Sequence, residues 1–106
     1  MGLLDFLRRP DINEGVRRWE QTPHAVLLDV RTPAEFREGH IPGSRNLPLD
    51  QLRRAEEVAA ARETPLFLCC ASGARSGAAA RQMRDMGYQN VTNIGGISGY
   101  RGKVER

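Results

Sequence analysis

Two short apolar runs, Ala25 to Val30 and Leu66 to Cys69, constrain this chain more than any other feature. Neither alternates polar with apolar residues, and only Asp29 interrupts the first, so each reads as a strand covered on both faces. Strands of that kind belong to parallel sheets, whose right-handed crossovers place helices on either side. A chain of 106 residues has room for one such sheet and one core, not for two ordinary domains. The expected class is therefore α/β, a small parallel sheet of four to five strands with helices on both faces.

The stretches around these runs carry helix signals. Ile12, Val16 and Trp19 stand at helical spacing behind Pro10 and Asp11, with Glu14 in capping-box position, which predicts a helix over about 11–20 with Trp19 as a core anchor. Thr32, Pro33 and Glu35 fit N-cap, N1 and N3 of a short helix that Gly39 stops. Ile41 to Asn46 reads as a turn and short strand. Leu49, Leu52, Ala55 and Ala59 give a helical face that ends before Thr64 and Pro65. Ala79, Met83 and Met86 mark a helix over Gly77 to Met86, closed by Gly87, and Val91 to Ile94 makes a last strand. Residues 11–102 form the expected core of one domain spanning 1–106, with 1–10 an N-terminal extension and 103–106 a tail.

Charge and cysteine content narrow the function classes. Sixteen Lys and Arg against thirteen Asp and Glu give a net charge of +3. The basic residues are scattered, so the chain attracts anions mildly and lacks the stripe of a nucleic-acid binder. Arg53, Arg54, Glu56 and Glu57 read as a solvated helix face. Gly2 to Leu7 contains Asp5 and is too short for a membrane span or secretory segment; it predicts a helical turn resting on the domain. Phe6 stands where a myristoylation motif requires Ser or Thr. The two cysteines, Cys69 and Cys70, are adjacent and point to opposite faces of a strand, which argues against a disulfide and for a reducing, cytoplasmic compartment. With them, His24 and His40 give no metal-ligand spacing, so neither a metal nor a cofactor is expected.

The chemistry concentrates in Cys70, Ala71, Ser72, Gly73, Ala74, Arg75 and Ser76, where a buried strand turns into a helix. Ligands bind at the carboxyl ends of strands in such sheets. A tight loop entering a helix points unpaired N–H groups inward, which favours a thiolate or an anionic substrate. Cys70 is the candidate nucleophile, and the amides of Ala71 to Ser76 are candidate substrate-binding donors. Gly73 supplies a backbone conformation that a side chain would forbid. Arg75 grips a donor's anionic end or braces the loop, the former being favoured because a guanidinium also lowers a thiol pKa. Ser76 is a helix cap, a hydrogen-bond donor to sulfur, or both. Cys69 packs as a small apolar group, with a resolving role left open.

Three segments in order, Leu28 to Phe36, Gly39 to Asn46 and Cys70 to Ser76, with Gly95, Gly96 and Tyr100 as a weaker fourth, give the chain a resemblance to single-domain rhodanese-like sulfurtransferases over about Ile12 to Gly102. The family usually has Trp where Tyr100 stands. The resemblance implies that Cys70 takes sulfane sulfur from thiosulfate or a related donor, carries it as a persulfide, and yields it to cyanide or a thiol, including a protein thiol. It further implies that Asp29 and His40 hold loops together, while Arg31 and Glu35, four apart around a helix start, read from their spacing as a structural pair. An edge strand commonly precedes the first helix in the family, yet Met1 to Arg9 shows no strand pattern, which points to four strands rather than five. Thiosulfate-preferring members often have Arg where this chain has Ala71, which points to another donor. A monomer or weak dimer is expected. Two other readings stand beside this one: a cysteine phosphatase or arsenate reductase, whose loop places five residues between Cys and Arg where this chain has four, and a non-catalytic binding module, which often lacks the cysteine.

Overall fold

The computed structural model of the protein describes residues 10–106. Its elements run in the order α1 (Ile12–Gln21), β1 (Val26–Asp29), α2 (Pro33–Glu38), β2 (Arg45–Asn46), a 3-10 segment (Leu49–Glu57), β3 (Leu66–Cys70), α3 (Ala74–Asp85), β4 (Val91–Gly96) and a 3-10 turn (Ile97–Gly99). Among the described residues the sheet has four strands in the order β2-β1-β3-β4, every pair parallel. The expectations for the N-terminal turn and edge strand fall outside the described residues.

Strand β3 is buried along its whole length, as its apolar run requires. Period-2 geometry divides its side chains between two cores. Leu66, Leu68 and Cys70 pack with Leu28, Val30, Leu52, Ala79 and Met83 under α3 and the 3-10 segment. Phe67 and Cys69 pack with Ile12, Val16, Leu27 and Ile94 under α1. Helix α1 reaches the sheet so closely that a Cβ on Gly15 would lie 2.3 Å from the Ile94 Cβ. Asp11 caps it, accepting from the Asn13 N–H at 3.0 Å.

Two helical elements differ from expectation. Helix α3 begins at Ala74 rather than Gly77, because Gly73 turns the chain in the left-handed region at φ 101° and lets the helix start inside the cysteine loop. The Leu49 to Ala59 face forms a 3-10 segment kinked at Gln51, since Leu49, Leu52 and Ala55 recur every three residues, the 3-10 repeat. The tail over 103–106 is tied back: Glu105 and His40 exchange backbone hydrogen bonds of 2.8 and 2.9 Å.

Gly15→Ala sets helix propensity, a gain of about 1 kcal/mol, against overpacking, a loss of about 1–3 kcal/mol. The overlap with Ile94 is with branched core atoms that have nowhere to go, so net destabilisation is expected in urea melts; a stabilised variant would show that α1 lifts freely from the sheet.

Candidate active site

Cys70 is the last residue of β3, so its position follows from the burial of that strand. Ala71, Ser72 and Gly73 form the turn; Ala74, Arg75 and Ser76 form the first turn of α3. The Cys70 side chain lies beneath this loop, fully buried. The Gly73 N–H donates to its Sγ at 3.0 Å, and the Ser76 Oγ stands 3.4 Å away. Burial pushes the Cys70 thiol pKa up, but hydrogen bonds from the Ser76 hydroxyl and from the N–H groups of Ser76, Gly73 and Ser72 outweigh it, and the net direction is down. Cys69, on the other face, has no such donors; burial first and the nearby Asp29 charge second push its thiol well up.

Arg75 has a partner within the protein. Its guanidinium makes a two-pronged ion pair with Glu35, at 2.7 and 2.9 Å. Glu35 is itself fixed by the expected capping box, accepting from the Thr32 N–H at 3.0 Å while the Glu35 N–H donates to Thr32 Oγ1 at 3.2 Å. One carboxylate thus starts α2 and holds the first turn of α3. The helical spacing of Arg31 and Glu35 does not pair them. Arg31 folds back instead onto the buried Asp29 carboxylate, 2.7 Å away, and donates to the Gly39 carbonyl at 2.8 Å. His40 stacks on Phe36 with ring centroids 3.7 Å apart.

Gly96, from the weaker fourth segment of the sequence, and Asn93, not singled out there, complete the loop's support. Gly96 must lack a side chain, because a Cβ there would lie 2.3 Å from the Ala71 carbonyl oxygen. Asn93 reaches from β4 to the Ser76 Oγ at 2.7 Å and the Gly73 carbonyl at 3.2 Å. An Asn inside a strand is unfavourable by propensity, and that was the available signal. Outside the loop lies a surface cleft of about 720 Å³, which Ser72, Gly73 and Ala74 line together with Asp11 and Arg101.

The site thus places one cysteine under inward-facing amides at the carboxyl end of a central strand of a parallel α/β domain. The family model for the rhodanese-like domain matches residues 13–103, and the chain belongs to that family. It is 42% identical over 105 residues to the Bacillus subtilis (strain 168) protein YqhL, covering 97% of this chain and 77% of YqhL. It is 37% identical over 83 residues to a sulfurtransferase of Allochromatium vinosum, covering 76% of each. A solved structure, a rhodanese with anions from E. coli, superposes with a TM-score of 0.72 at 26% identity, covering 77% of this chain and 98% of that one.

The Glu35 carboxyl is held down at about 2 from its usual 4.5, first by Arg75 and then by the Thr32 N–H. A depressed folded pKa gives stability that is complete above the unfolded value and lost as pH falls towards 2. With Glu35 34% exposed, screening reduces the contribution to about 1 kcal/mol. Glu35→Gln should therefore be less stable than the parent by that amount above pH 5, with the gap closing towards pH 2 in acid-denaturation curves. A gap independent of pH would contradict the pairing.

Proposed function

We propose that the protein is a sulfurtransferase in which Cys70 carries sulfane sulfur as a persulfide. The convergence of N–H donors on a single buried sulfur supports this reading most directly, because thiolate and persulfide are both anions. The Cys70 thiolate attacks the outer sulfur of the donor. The donor's S–S bond breaks, and the leaving group, sulfite from thiosulfate or a thiolate from a persulfide, departs with the electron pair. A thiol or cyanide then attacks the outer sulfur and returns the Cys70 thiolate. Substrates approach over the crown of the loop, where Ser72 and Ala74 are exposed. The name of the Allochromatium vinosum relative agrees with this chemistry.

The observations also favour a donor of low charge. Arg75 is engaged by Glu35, Ala71 supplies no cation, and Arg101 shares the cleft with the carboxylate of Asp11. A persulfide of a small thiol or of a protein suits that crown better than dianionic thiosulfate. The same ion pair weighs against a phosphatase, which needs a free guanidinium for the oxyanion.

Incubation with a persulfide donor followed by intact-mass measurement should add one sulfur to the parent protein and none to Cys70→Ala. No adduct from any sulfane donor would leave a binding module as the better reading. Ala71→Arg should lower the KM for thiosulfate about tenfold through one charge-assisted hydrogen bond of about 1.5 kcal/mol. An unchanged KM would remove the charge argument for donor choice.

A further inference from the structure

The support of the loop by Asn93 sits at an irregularity in the sheet. Leu68 pairs with Asn93 and Cys69 pairs with Gly95, so β4 carries one residue more than β3 at this point. Gly95 takes up the bulge at φ 103°. The turned backbone brings the Gly95 N–H onto the Asn93 Oδ1 at 3.0 Å, while the Asn93 Nδ2 donates to the Gly73 carbonyl at 3.2 Å. With a donor on one side and an acceptor on the other, the carboxamide has only one orientation that satisfies both.

Ser76 is fully buried and has one hydroxyl proton. Three acceptors surround it: Asn93 Oδ1 at 2.7 Å, the Gly73 carbonyl at 3.1 Å and Cys70 Sγ at 3.4 Å. The shortest contact is the one to Asn93, which leaves a Ser76 lone pair to accept the Cys70 S–H while the thiol is neutral. When the thiol proton leaves for solvent, the sulfur becomes the strongest acceptor of the three, and the hydroxyl must turn from Asn93 to serve it. Arg75 from α3 is paired with Glu35 from α2, Asp29 of β1 is paired with Arg31, and Cys69 lies on the opposite face of β3.

We propose that Asn93 is a positioning residue that sets how readily Cys70 ionises, by competing with the sulfur for the single proton of Ser76. The proposal rests on the reading of Cys70 as the nucleophile. In it, the carboxamide has two opposed effects: its Nδ2 end holds the loop's curvature, and its Oδ1 end restrains the thiolate until the hydroxyl turns.

The pH dependence of Cys70 alkylation, followed by mass so that Cys69 is counted separately, tests this without any sulfur donor. Failure of sulfur transfer therefore cannot be mistaken for failure here. Asn93→Ala should move the alkylation midpoint down by about half a pH unit, roughly a threefold gain in thiolate below the midpoint. Ser76→Ala should move it up, and Asn93→Ala added to Ser76→Ala should produce no downward move. A midpoint unchanged or raised in Asn93→Ala, or lowered equally without Ser76, would overturn the proposal. Should Asn93→Ala fail to fold, Asn93→Asp serves instead. Its carboxylate holds the hydroxyl more firmly, so the midpoint should rise more with Ser76 present than in the Ser76→Ala background, and an equal rise in both would overturn the idea.

Discussion

The sulfur of Cys70 occupies the place that a capping side chain fills at most helix starts. Every α-helix begins with N–H groups that have no partner within the helix. No side chain caps α3, and Gly73 instead swings its N–H onto the sulfur at 3.0 Å. The helix and the Cys70 sulfur therefore stabilise each other: the amides need an acceptor, and the sulfur needs donors once it is charged. The rest of the architecture serves that contact. Strand β3 is buried on both faces so that its end lies deep, Gly96 leaves room for the Ala71 carbonyl, and α2 supplies the carboxylate that fixes the following turn.

Two ion pairs frame the site, and their burial gives them different work. Asp29 is fully buried, and its Arg31 partner is 8% exposed in the side chain, so neither charge can lose the other without a penalty of about 3–5 kcal/mol. That pair is a fixed joint: Arg31 also holds the Gly39 carbonyl, while Asn46 donates to the Asp29 and Arg31 carbonyls at 3.0 and 2.9 Å. Glu35 and Arg75 are each about one-third exposed, so their pairing is worth less and is screened by salt. Its greater effect is geometric. It makes the Arg75 guanidinium a brace between α2 and α3.

What the sequence discloses is what local chemistry determines. Apolar runs at Leu27 and Leu28 and at Leu66 to Cys69 gave the buried parallel strands, and Thr32, Pro33 and Glu35 gave the start of α2, because strand burial and helix capping act over a few residues. The same reading placed the start of α3 three residues late, since it sought a side-chain cap and the cap is a thiol four residues upstream of Ala74. It paired Arg31 with Glu35 by helical spacing, whereas both side chains found partners through the tertiary fold, Asp29 and Arg75. Asn93 escaped notice for a related reason. Its contacts with Gly73 and Ser76 span 20 and 17 residues, and the bulge that aims it cannot be read from the composition of β4.

The adjacent cysteines isolate the physical cause of a lowered thiol pKa. Both are fully buried, so exclusion of water alone would raise the pKa of each. Cys69 follows that rule, with the Asp29 carboxylate nearby adding to the effect. Cys70 departs from it because donors from Ser72, Gly73 and Ser76 meet its sulfur, and those donors reach only the face of β3 on which it lies. Register therefore decides which thiol the donors reach. A slip of β3 by a single residue would bring Cys69 beneath the amides and carry Cys70 past the end of the strand, changing which thiol the donors reach without changing the sequence. The slip is opposed by packing: Leu66 and Leu68 would have to enter the core that fits Phe67, and Phe67 the core that fits them, and such misfit costs about 1–3 kcal/mol per site. Core packing thus selects which of two neighbouring thiols the loop can activate.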